Sequence, residues 1–326
     1  MNEGEWGKPY PFFRDNDNNY EQIPSKLLIV WASVVEKTKY LLCTEIPKLR
    51  IEQLLFNSQR FSDIVVGLAS YGGAALWIHG FKKSILVAWM HGKEVQVEMG
   101  NFMQMNIDET FNETYDFYIN NDPRIKENLE KNGLPPRHLF DNYMQQFTYR
   151  YLPLFEHWDE EKEMWHSDYK SSYTKHESSQ TDNESQQEQK KGPVPEFDYI
   201  EEALFDGTYD KLHDGGLLNY HEAGKPKKLA VKWHIKKSEY TAYFWFEDEE
   251  IRTIFDRFYG VHPDTKTDFM IRIDSEQNKY ELALYRYGLK EPQVINESAY
   301  QLIVFKNKFE YFRSENYDQP RGAWIW

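Results

Sequence analysis

Apolar and polar positions follow the same order in two parts of the chain. The phrase "PSKLLIVW" at residues 24–31 and the phrase "PKKLAVKW" at residues 226–233 each predict a strand. Both phrases end in a tryptophan, Trp31 or Trp233, which we expect in a core. A second strand, acidic residues and a helix follow each phrase. The helix faces, spaced by three or four residues, are Ile51, Leu54 and Leu55 in the first part and Ile251, Ile254, Phe255 and Phe258 in the second.

Further strands continue this correspondence beyond the helices. "SDIVVGL" at residues 62–68 matches "TDFMIRI" at 267–273, and "LWIHG" at 76–80 matches "LYRYG" at 284–288. The last strand of each copy is "SILVAWMHGK" at 84–93 and "QLIVFKNK" at 301–308. Because order and spacing persist, we interpret the chain as an α+β protein with two divergent copies of a β-β-α-β-β-β unit. Each copy is expected to form an antiparallel sheet unit with one helix.

The repeat predicts three segments along the chain. Residues 1–100 would hold the first copy, 101–224 a helical and polar connection, and 225–326 the second copy. Within the connection, Pro123 suits the first turn of a helix. From residue 171 to 191 the chain reads "SSYTKHESSQTDNESQQEQKK". This segment has too little apolar surface to offset the entropy of ordering, so it predicts a flexible insertion.

The final residues are unusually apolar for a terminus. The chain ends in "NYDQPRGAWIW", whose last residues are Trp324, Ile325 and Trp326. We expect this tail to dock onto the body of the protein, either closing the second sheet or bridging it to the first. The alternative is an exposed aromatic anchor for a partner.

Charge and cysteine content limit the classes of function. The 326 residues include 53 acidic and 39 basic side chains, a formal net charge of -14, which disfavours binding to nucleic acid or to anionic membranes. A basic or polar partner is more compatible with this charge. The single cysteine, Cys43, excludes a disulfide within the chain, and its apolar surroundings "KYLLCTEI" predict a buried structural thiol. The sequence has no apolar run long enough to span a bilayer and no signal-peptide pattern at its start.

Several phrases together resemble one bacterial protein family. They are "PSKLLIVWASVVEKTKYL", "SDIVVGLASYGGAALWIHG", "GLPPRHLFDNYMQQFTYRYLPLFEHW" and "QLIVFKNKFEYFRSENYDQPRGAWIW", and they are similar to the domain of unknown function 2931 (DUF2931). The resemblance extends over most of the chain except the polar insertion. Proteins of this family are often described as lipoproteins, so the resemblance implies a location in the cell envelope. This chain has no lipobox cysteine, and the family supplies no established catalytic residue.

Motifs for catalysis or metal binding are weak. The stretch "GLASYGG", Gly67 to Gly73, lacks the G-K-[ST] of a phosphate loop and the G-x-S-x-G spacing of a nucleophile elbow, so it predicts a hairpin connection. Asp15, Asp17 and Asn19 alternate as calcium ligands do, but the glycine and final glutamate of a calcium loop are missing, which favours a solvated loop. The histidines His157 and His166 are too loosely spaced to indicate zinc. We therefore expect no metal and no cofactor.

A stretch of mixed acidic and aromatic residues is the most distinctive candidate surface. In "EHWDEEKEMWHSDY", aromatic anchors surrounded by charge are typical of an interface. The alternative is a solvated helix with two tryptophans packed inward. The predicted partner-binding residues are Glu156, Trp158, Asp159, Glu160, Glu161, Glu163 and Trp165.

Two classes of function are compatible with these residues. The sequence favours a noncatalytic protein-binding protein of an envelope or toxin-immunity type, whose partner would be an unidentified protein such as a basic toxin. It would bind no nucleic acid and have no transmembrane segment, although a precursor could carry a lipid anchor. It would lie in the envelope if a lipoprotein signal is removed, and in the cytoplasm otherwise. The alternative is a carbohydrate-binding protein or glycoside hydrolase with an acidic aromatic cleft.

Overall fold

The computed structural model describes residues 23–57, 61–96, 111–166, 195–213, 219–260, 265–286 and 289–317. The predicted calcium-like loop, flexible insertion and docked tail, residues 15–19, 171–191 and 324–326, lie outside these ranges. The chain forms two compact units: unit 1 contains residues 1–145 and 205–208, and unit 2 contains residues 146–204 and 209–326. The units do not divide at residues 100 and 224, where the repeat predicts boundaries. Those boundaries concern the repeated copies and stay a prediction.

Unit 1 is built from two antiparallel sheets. The first has the order β1-β2-β6, and the second has the order β3-β4-β5. Helix α1 connects β2 to β3. The strands and this helix are β1 (Lys26–Ser33), β2 (Thr38–Glu45), α1 (Lys48–Asn57), β3 (Phe61–Leu68), β4 (Gly73–Gly80), β5 (Lys83–His91) and β6 (Lys93–Glu94).

Short helices follow β6 in unit 1. They are α2 (Phe111–Tyr115), a π-helical turn (Asp116–Asn120), α3 (Pro123–Asn132) and α4 (Leu139–Tyr143). Pro123 occupies the first turn of α3 as predicted, and the Asp122 side chain caps the helix by accepting from the backbone N–H groups of Arg124 and Ile125. Gly133, with a φ of +69°, ends it.

The core of unit 1 lies under α1 and between its sheets. Ile51 of α1, which is fully buried, packs with Leu76, Ile78 and Val87 of β4 and β5. Trp31 of β1 joins a second cluster with Tyr40, Leu42 and Ala74. Trp31 is therefore in the core, as the sequence predicts.

The phase of β2 contradicts the prediction for the cysteine. Leu42 is buried, whereas the next residue, Cys43, is exposed. Successive side chains of a strand point to opposite faces, so the apolar neighbours of Cys43 do not bury it. The prediction of a buried thiol is wrong.

The "GLASYGG" stretch forms the connection between the antiparallel strands β3 and β4, as predicted. Gly72 has a φ of +76°, and a Cβ atom there would lie 2.7 Å from the carbonyl oxygen of Gly92. The Glu36 carboxylate accepts hydrogen bonds from the Tyr71 backbone N–H and from the Tyr40 hydroxyl, at 2.9 and 3.0 Å. Burial and this hydrogen bond to Glu36 raise the pKa of Tyr40 well above its usual value.

Residues 205–208 belong to unit 1 although they connect two strands of unit 2. The Trp77 indole N–H donates to the Asp206 carbonyl oxygen at 2.9 Å, and Trp77 is fully buried. The Phe205 ring stacks on the Tyr143 ring with centroids 5.3 Å apart. Gly207, with a φ of +83°, allows the turn at the sequence "FDG".

Unit 2 contains the remaining strands and helix α5. One set of strands has the order β10-β9-β12-β13-β17-β18, and the other has the order β11-β7-β14-β15-β16 with β8 paired to β7. Strands β7 and β14 are parallel, and the other pairs described in unit 2 are antiparallel. The elements are β7 (Phe147–Asp159), β8 (Met164–His166), β9 (Glu196–Leu204), β10 (Tyr209–His213), β11 (His221–Ala223), β12 (Pro226–Ile235), β13 (Ser238–Phe246), α5 (Asp248–Tyr259), β14 (Thr267–Asp274), β15 (Tyr280–Arg286), β16 (Gln293–Val294), β17 (Tyr300–Lys306) and β18 (Phe309–Arg313).

Helix α5 begins among acidic residues and buries an aromatic face. Asp248, Glu249 and Glu250 lie in its first turn, where negative charge is favourable. Its buried residues are Ile251, Phe255, Phe258 and Tyr259, while Ile254 is half-buried. Trp233 of β12 is fully buried, as predicted.

The mixture of sheets and helices confirms the α+β class. The two predicted copies agree in their antiparallel hairpins, β1-β2 with β12-β13 and β3-β4 with β14-β15. They differ in the strand that the sequence matched last, because β5 pairs with β4 whereas β17 pairs with β13. No helix in the described part of the chain has the length and apolar character needed to span a membrane.

Candidate partner-binding site

The predicted surface lies on the hairpin of β7 and β8. Strand β7 pairs with β14 as far as Glu156, and beyond that residue it pairs with β8. Trp158 faces Trp165 across this hairpin, and Asp159 faces Met164. Four residues, 160–163, form the connecting turn.

The two tryptophans form the base of the hairpin. The centroids of the Trp158 and Trp165 rings are 5.2 Å apart in an edge-to-face arrangement, and both side chains are half-buried. Lys279 Nζ lies 5.3 Å from the Trp158 ring centroid, and Arg272 Cζ lies 5.9 Å from that of Trp165. These distances suit cation–π attraction, which fixes the hairpin against β14 and its neighbouring turn.

Asp159 closes the turn. Its carboxylate accepts from the backbone N–H groups of Glu161 and Lys162 at 3.1 Å and from Lys162 Nζ at 2.8 Å. His166 Nε2 lies 3.3 Å from the same carboxylate. The hydrogen bond from the Lys162 side chain is the main reason that the pKa of Asp159 falls to about 2. Its contacts give Asp159 a structural role within the hairpin.

Glu156 lies apart from the exposed part of the hairpin. Its side chain is buried, and its Oε2 lies 3.3 Å from Arg272 Nε. The same guanidinium donates from Nη1 to Glu281 Oε1 at 2.7 Å. Sequence reasoning placed Glu156 beside the tryptophans, but an inward position on β7 and a basic partner on β14 remove it from solvent.

The exposed part of the predicted surface is the hairpin tip, which we define as Glu160, Glu161, Glu163 and Met164. All four side chains are exposed. Lys162, the basic residue of the turn, is engaged by Asp159. The tip therefore presents three carboxylates and an apolar thioether on a rigid aromatic base.

The hairpin also brings two histidines together. His157 and His166, nine residues apart in the chain, are direct cross-strand partners. His157 Nδ1 lies 3.8 Å from Asp274 Oδ1, and His166 lies against Asp159. No group of three or more potential metal ligands is found among the described residues.

An open cleft in unit 2 was not predicted from the sequence. It has a volume of about 560 Å³, and Tyr199, His213, Lys232, His234 and Glu239 contribute to its lining. These residues come from β9, β10, β12 and β13, so their proximity depends on strand register. Alternating polar residues on each strand are the only sequence signal, and they do not reveal which strands are neighbours.

Several polar side chains in the cleft contact one another. His234 Nδ1 lies 3.0 Å from Asp198 Oδ1, and Lys232 Nζ lies 2.7 Å from Glu239 Oε2. Burial alone would lower the pKa of Lys232, but the hydrogen bond to Glu239 raises it above the ordinary value. The centroids of the Tyr199 and His213 rings are 5.9 Å apart. The cleft can offer donors, acceptors and ring edges to a polar ligand.

No curated protein and no solved structure matches the chain. A family model described as "Protein of unknown function (DUF2931)" matches residues 1–135. The sequence predicts a resemblance over most of the chain, but the match is shorter. Of the phrases that resemble the family, the one at residues 133–158 lies mostly outside the match and the one at residues 301–326 lies entirely outside it. Residues 1–135, which carry β1 to β6 and α1 to α3, are therefore similar to the DUF2931 family.

Proposed function

We propose that this protein is a noncatalytic binding protein that holds a basic protein partner through the β7–β8 hairpin. The observation that supports this most is the hairpin tip, where Glu160, Glu161 and Glu163 are exposed on a base fixed by paired tryptophans. A rigid base lowers the entropy that a binding loop loses on association. The tip is therefore suited to recognition without a chemical step.

The overall charge supports the same class of partner. A net charge of -14 attracts basic proteins over long range and raises their association rate at low salt. We include in the proposal an envelope or toxin-immunity role, with a basic toxin as one such partner. A lipid anchor on a precursor would account for an envelope location.

The test compares capture of the native partner by three forms of the protein. Replacing the tip acids by E160Q, E161Q and E163Q removes three charges without shortening any side chain. A matched control replaces three exposed acids of α2 and α3, through E113Q, E127Q and E130Q. We expect the tip variant to lose roughly tenfold in affinity for the captured protein and the control to keep most of it. Equal losses in both variants would show that only net charge matters and would overturn the proposed site.

The alternative function is carbohydrate binding or glycoside hydrolysis, and the cleft of unit 2 supports it. Tyr199 and His213 provide ring surfaces there, and Asp198 and Glu239 provide carboxylates. Titration with neutral and acidic oligosaccharides tests this reading, with Tyr199→Ala as the variant expected to weaken binding. Saccharide binding or release of reducing ends by the wild-type protein would favour this alternative over the hairpin proposal.

We also propose that the two β-rich parts are divergent copies of one unit. The shared antiparallel hairpins, β1-β2 with β12-β13 and β3-β4 with β14-β15, support this. So does the position of the helix, which follows the second strand in both parts. The expected result of superposing the strands β1 to β4 on β12 to β15 is equivalent placement of α1 and α5. A helix on opposite faces in the two parts would contradict common descent.

A further inference from the structure

Strand β1 forms one edge of its sheet in unit 1. It pairs with β2 on one side, and no strand among the described residues pairs with its other side. Its outward face is apolar, because Leu28 is 69% exposed and Val30 is 43% exposed. An edge of this kind offers both backbone hydrogen-bonding groups and apolar surface to another strand.

Soluble proteins usually protect such edges, and the sequence of β1 itself carries little of that protection. The sequence "KLLIVWAS" contains one charged residue, Lys26, and no proline. Charged residues and prolines within an edge strand are the common devices against pairing with another chain. The composition of β1 is therefore that of a strand with a neighbour on both sides.

The corresponding strand of unit 2 has such a neighbour. Strand β12 holds the same place in the order β12-β13-β17 as β1 holds in β1-β2-β6. Its outer edge pairs antiparallel with β9, for example through Leu229 opposite Glu202 and Val231 opposite Ile200. Within one chain, this place in the fold thus accepts an antiparallel strand.

We propose that β1 pairs with β1 of a second copy of this chain, antiparallel and about a two-fold axis. A two-fold axis perpendicular to the sheet pairs outward-pointing residues of one strand with outward-pointing residues of the other. Because side chains alternate along a strand, two residues that face each other then have numbers that are both even or both odd. In one such register Ile29 faces Ile29 of the second copy. Leu28 of each copy then faces Val30 of the other. Lys26 then lies opposite Ala32, and no like charges face each other.

This register makes the second copy a specific occupant of the edge. The two apolar residues that are most exposed on β1 cover each other, and the sheet continues across the axis. Homodimers with two-fold symmetry use the same patch on both subunits, which is the arrangement that a self-complementary strand provides.

The first test measures the mass of the full chain in solution by analytical ultracentrifugation over a range of concentrations. We expect twice the mass of one chain at high concentration. Val30→Lys places an ammonium group on the edge and should raise the dissociation constant at least about tenfold. The matched control is Phe81→Lys, which changes another exposed apolar residue of unit 1, 76% exposed, away from β1 and should leave the dissociation constant unchanged. Thermal unfolding of both variants verifies that each is folded.

The second test determines which residues of the two β1 strands face each other. In a background with Cys43→Ser, the variants Leu28→Cys and Val30→Cys are mixed and oxidised. Facing residues have Cβ atoms about 4.5–5.5 Å apart, within reach of a disulfide, so the mixture should give a covalent dimer and neither variant alone should. A single-chain mass at every concentration, or a dimer that survives Val30→Lys and fails to crosslink, would overturn the proposal.

Discussion

At the scale of single residues, glycines determine how closely the strands of unit 1 approach. Gly72 combines a φ of +76° with a position where a Cβ atom would meet the Gly92 carbonyl oxygen at 2.7 Å. Gly133 also has a positive φ, but a Cβ atom there would have nothing within 4 Å. Comparing substitutions at these two residues separates the cost of backbone strain from the cost of steric crowding.

We predict that Gly72→Ala destabilises the protein more than Gly133→Ala. Backbone strain should cost about 1–3 kcal/mol in either variant. Overpacking against the Gly92 backbone should add about 1–3 kcal/mol at position 72 alone. Urea unfolding followed by circular dichroism measures both free energies. Equal values would show that the loop relaxes to accommodate a methyl group.

The residues of the core were largely predictable, and those of the site were predictable only in part. Trp31, Ile51 and Trp233 are buried as predicted, since helical spacing and the doubled phrase identify inward positions. The exposure of Cys43 could have been predicted from strand alternation, because Lys39 and Glu45 share its phase in "KYLLCTEI", whereas the prediction considered only the apolar neighbours. Glu156 is removed from solvent by Arg272, which is distant in sequence and whose proximity depends on the pairing of β7 with β14.

A pH effect at the hairpin follows from Asp159. Its pKa is about 2 in the folded protein, below the usual 3.8, mainly because Lys162 donates to it. A lowered folded-state pKa means that the contribution to stability is present above about pH 4 and is lost as the pH falls toward 2. We predict that the fluorescence of Trp158 and Trp165 changes in this window. Asp159→Asn should remove that change, and a variant that titrates like the wild type would exclude this carboxylate as its source.

At the scale of elements, one buried lysine connects α5 to the start of β12. The Lys225 side chain is fully buried, and its Nζ lies 3.1 Å from Asp256 Oδ1 on α5. Burial lowers the pKa of Lys225, and the nearby Asp256 opposes that effect in part. The pair therefore holds helix and strand together at the cost of removing an ammonium group from water.

We predict opposite effects of changing the two partners. Asp256→Asn should cost roughly 1–3 kcal/mol, because the buried ammonium loses its charged acceptor. Lys225→Met should be neutral or stabilising at pH 7. In the wild type, stability should rise with pH up to about 10.5, because the unfolded chain binds the proton more tightly, and Lys225→Met should flatten that rise. A steep rise that persists in Lys225→Met would point to another group.

Element types were more predictable than element partners. The order of strands and helices in each part follows from apolar periodicity, and the acidic start of α5 follows from its first turn. The change of partner near Gly92, where β5 pairs with β4 and β6 pairs with β2, is not encoded in periodicity. It depends on the close approach that glycine allows there.

At the scale of the whole molecule, unit 1 depends on residues distant in sequence. Asp206 supplies the acceptor for the buried Trp77 indole, and Thr208 Oγ1 accepts from the Leu86 backbone N–H at 3.2 Å. The range matched by the DUF2931 model, residues 1–135, contains neither of these acceptors.

We predict that Trp77→Phe costs less in a fragment of residues 1–145 than in the intact chain. In the intact chain the substitution removes a hydrogen bond. The fragment has no such hydrogen bond to lose, because it does not contain Asp206. There the substitution removes an indole N–H that has no acceptor, and this relieves a desolvation cost of about 1–3 kcal/mol. Denaturant unfolding of the intact chain and of the fragment, each with and without Trp77→Phe, measures the free energies of unfolding for this comparison. The same cost in both backgrounds would show that the fragment satisfies the indole in another way.

The position of residues 205–208 also has a consequence for biosynthesis. The ribosome releases residue 145 well before residue 205, an interval of about 3–12 seconds at roughly 5–20 residues per second. During that interval the nascent amino-terminal unit lacks the acceptor for the Trp77 indole and the ring that stacks on Tyr143. Its last contacts form only after β7 and β9, two strands of unit 2, have been translated, so unit 1 cannot be completed before part of unit 2 has been synthesised.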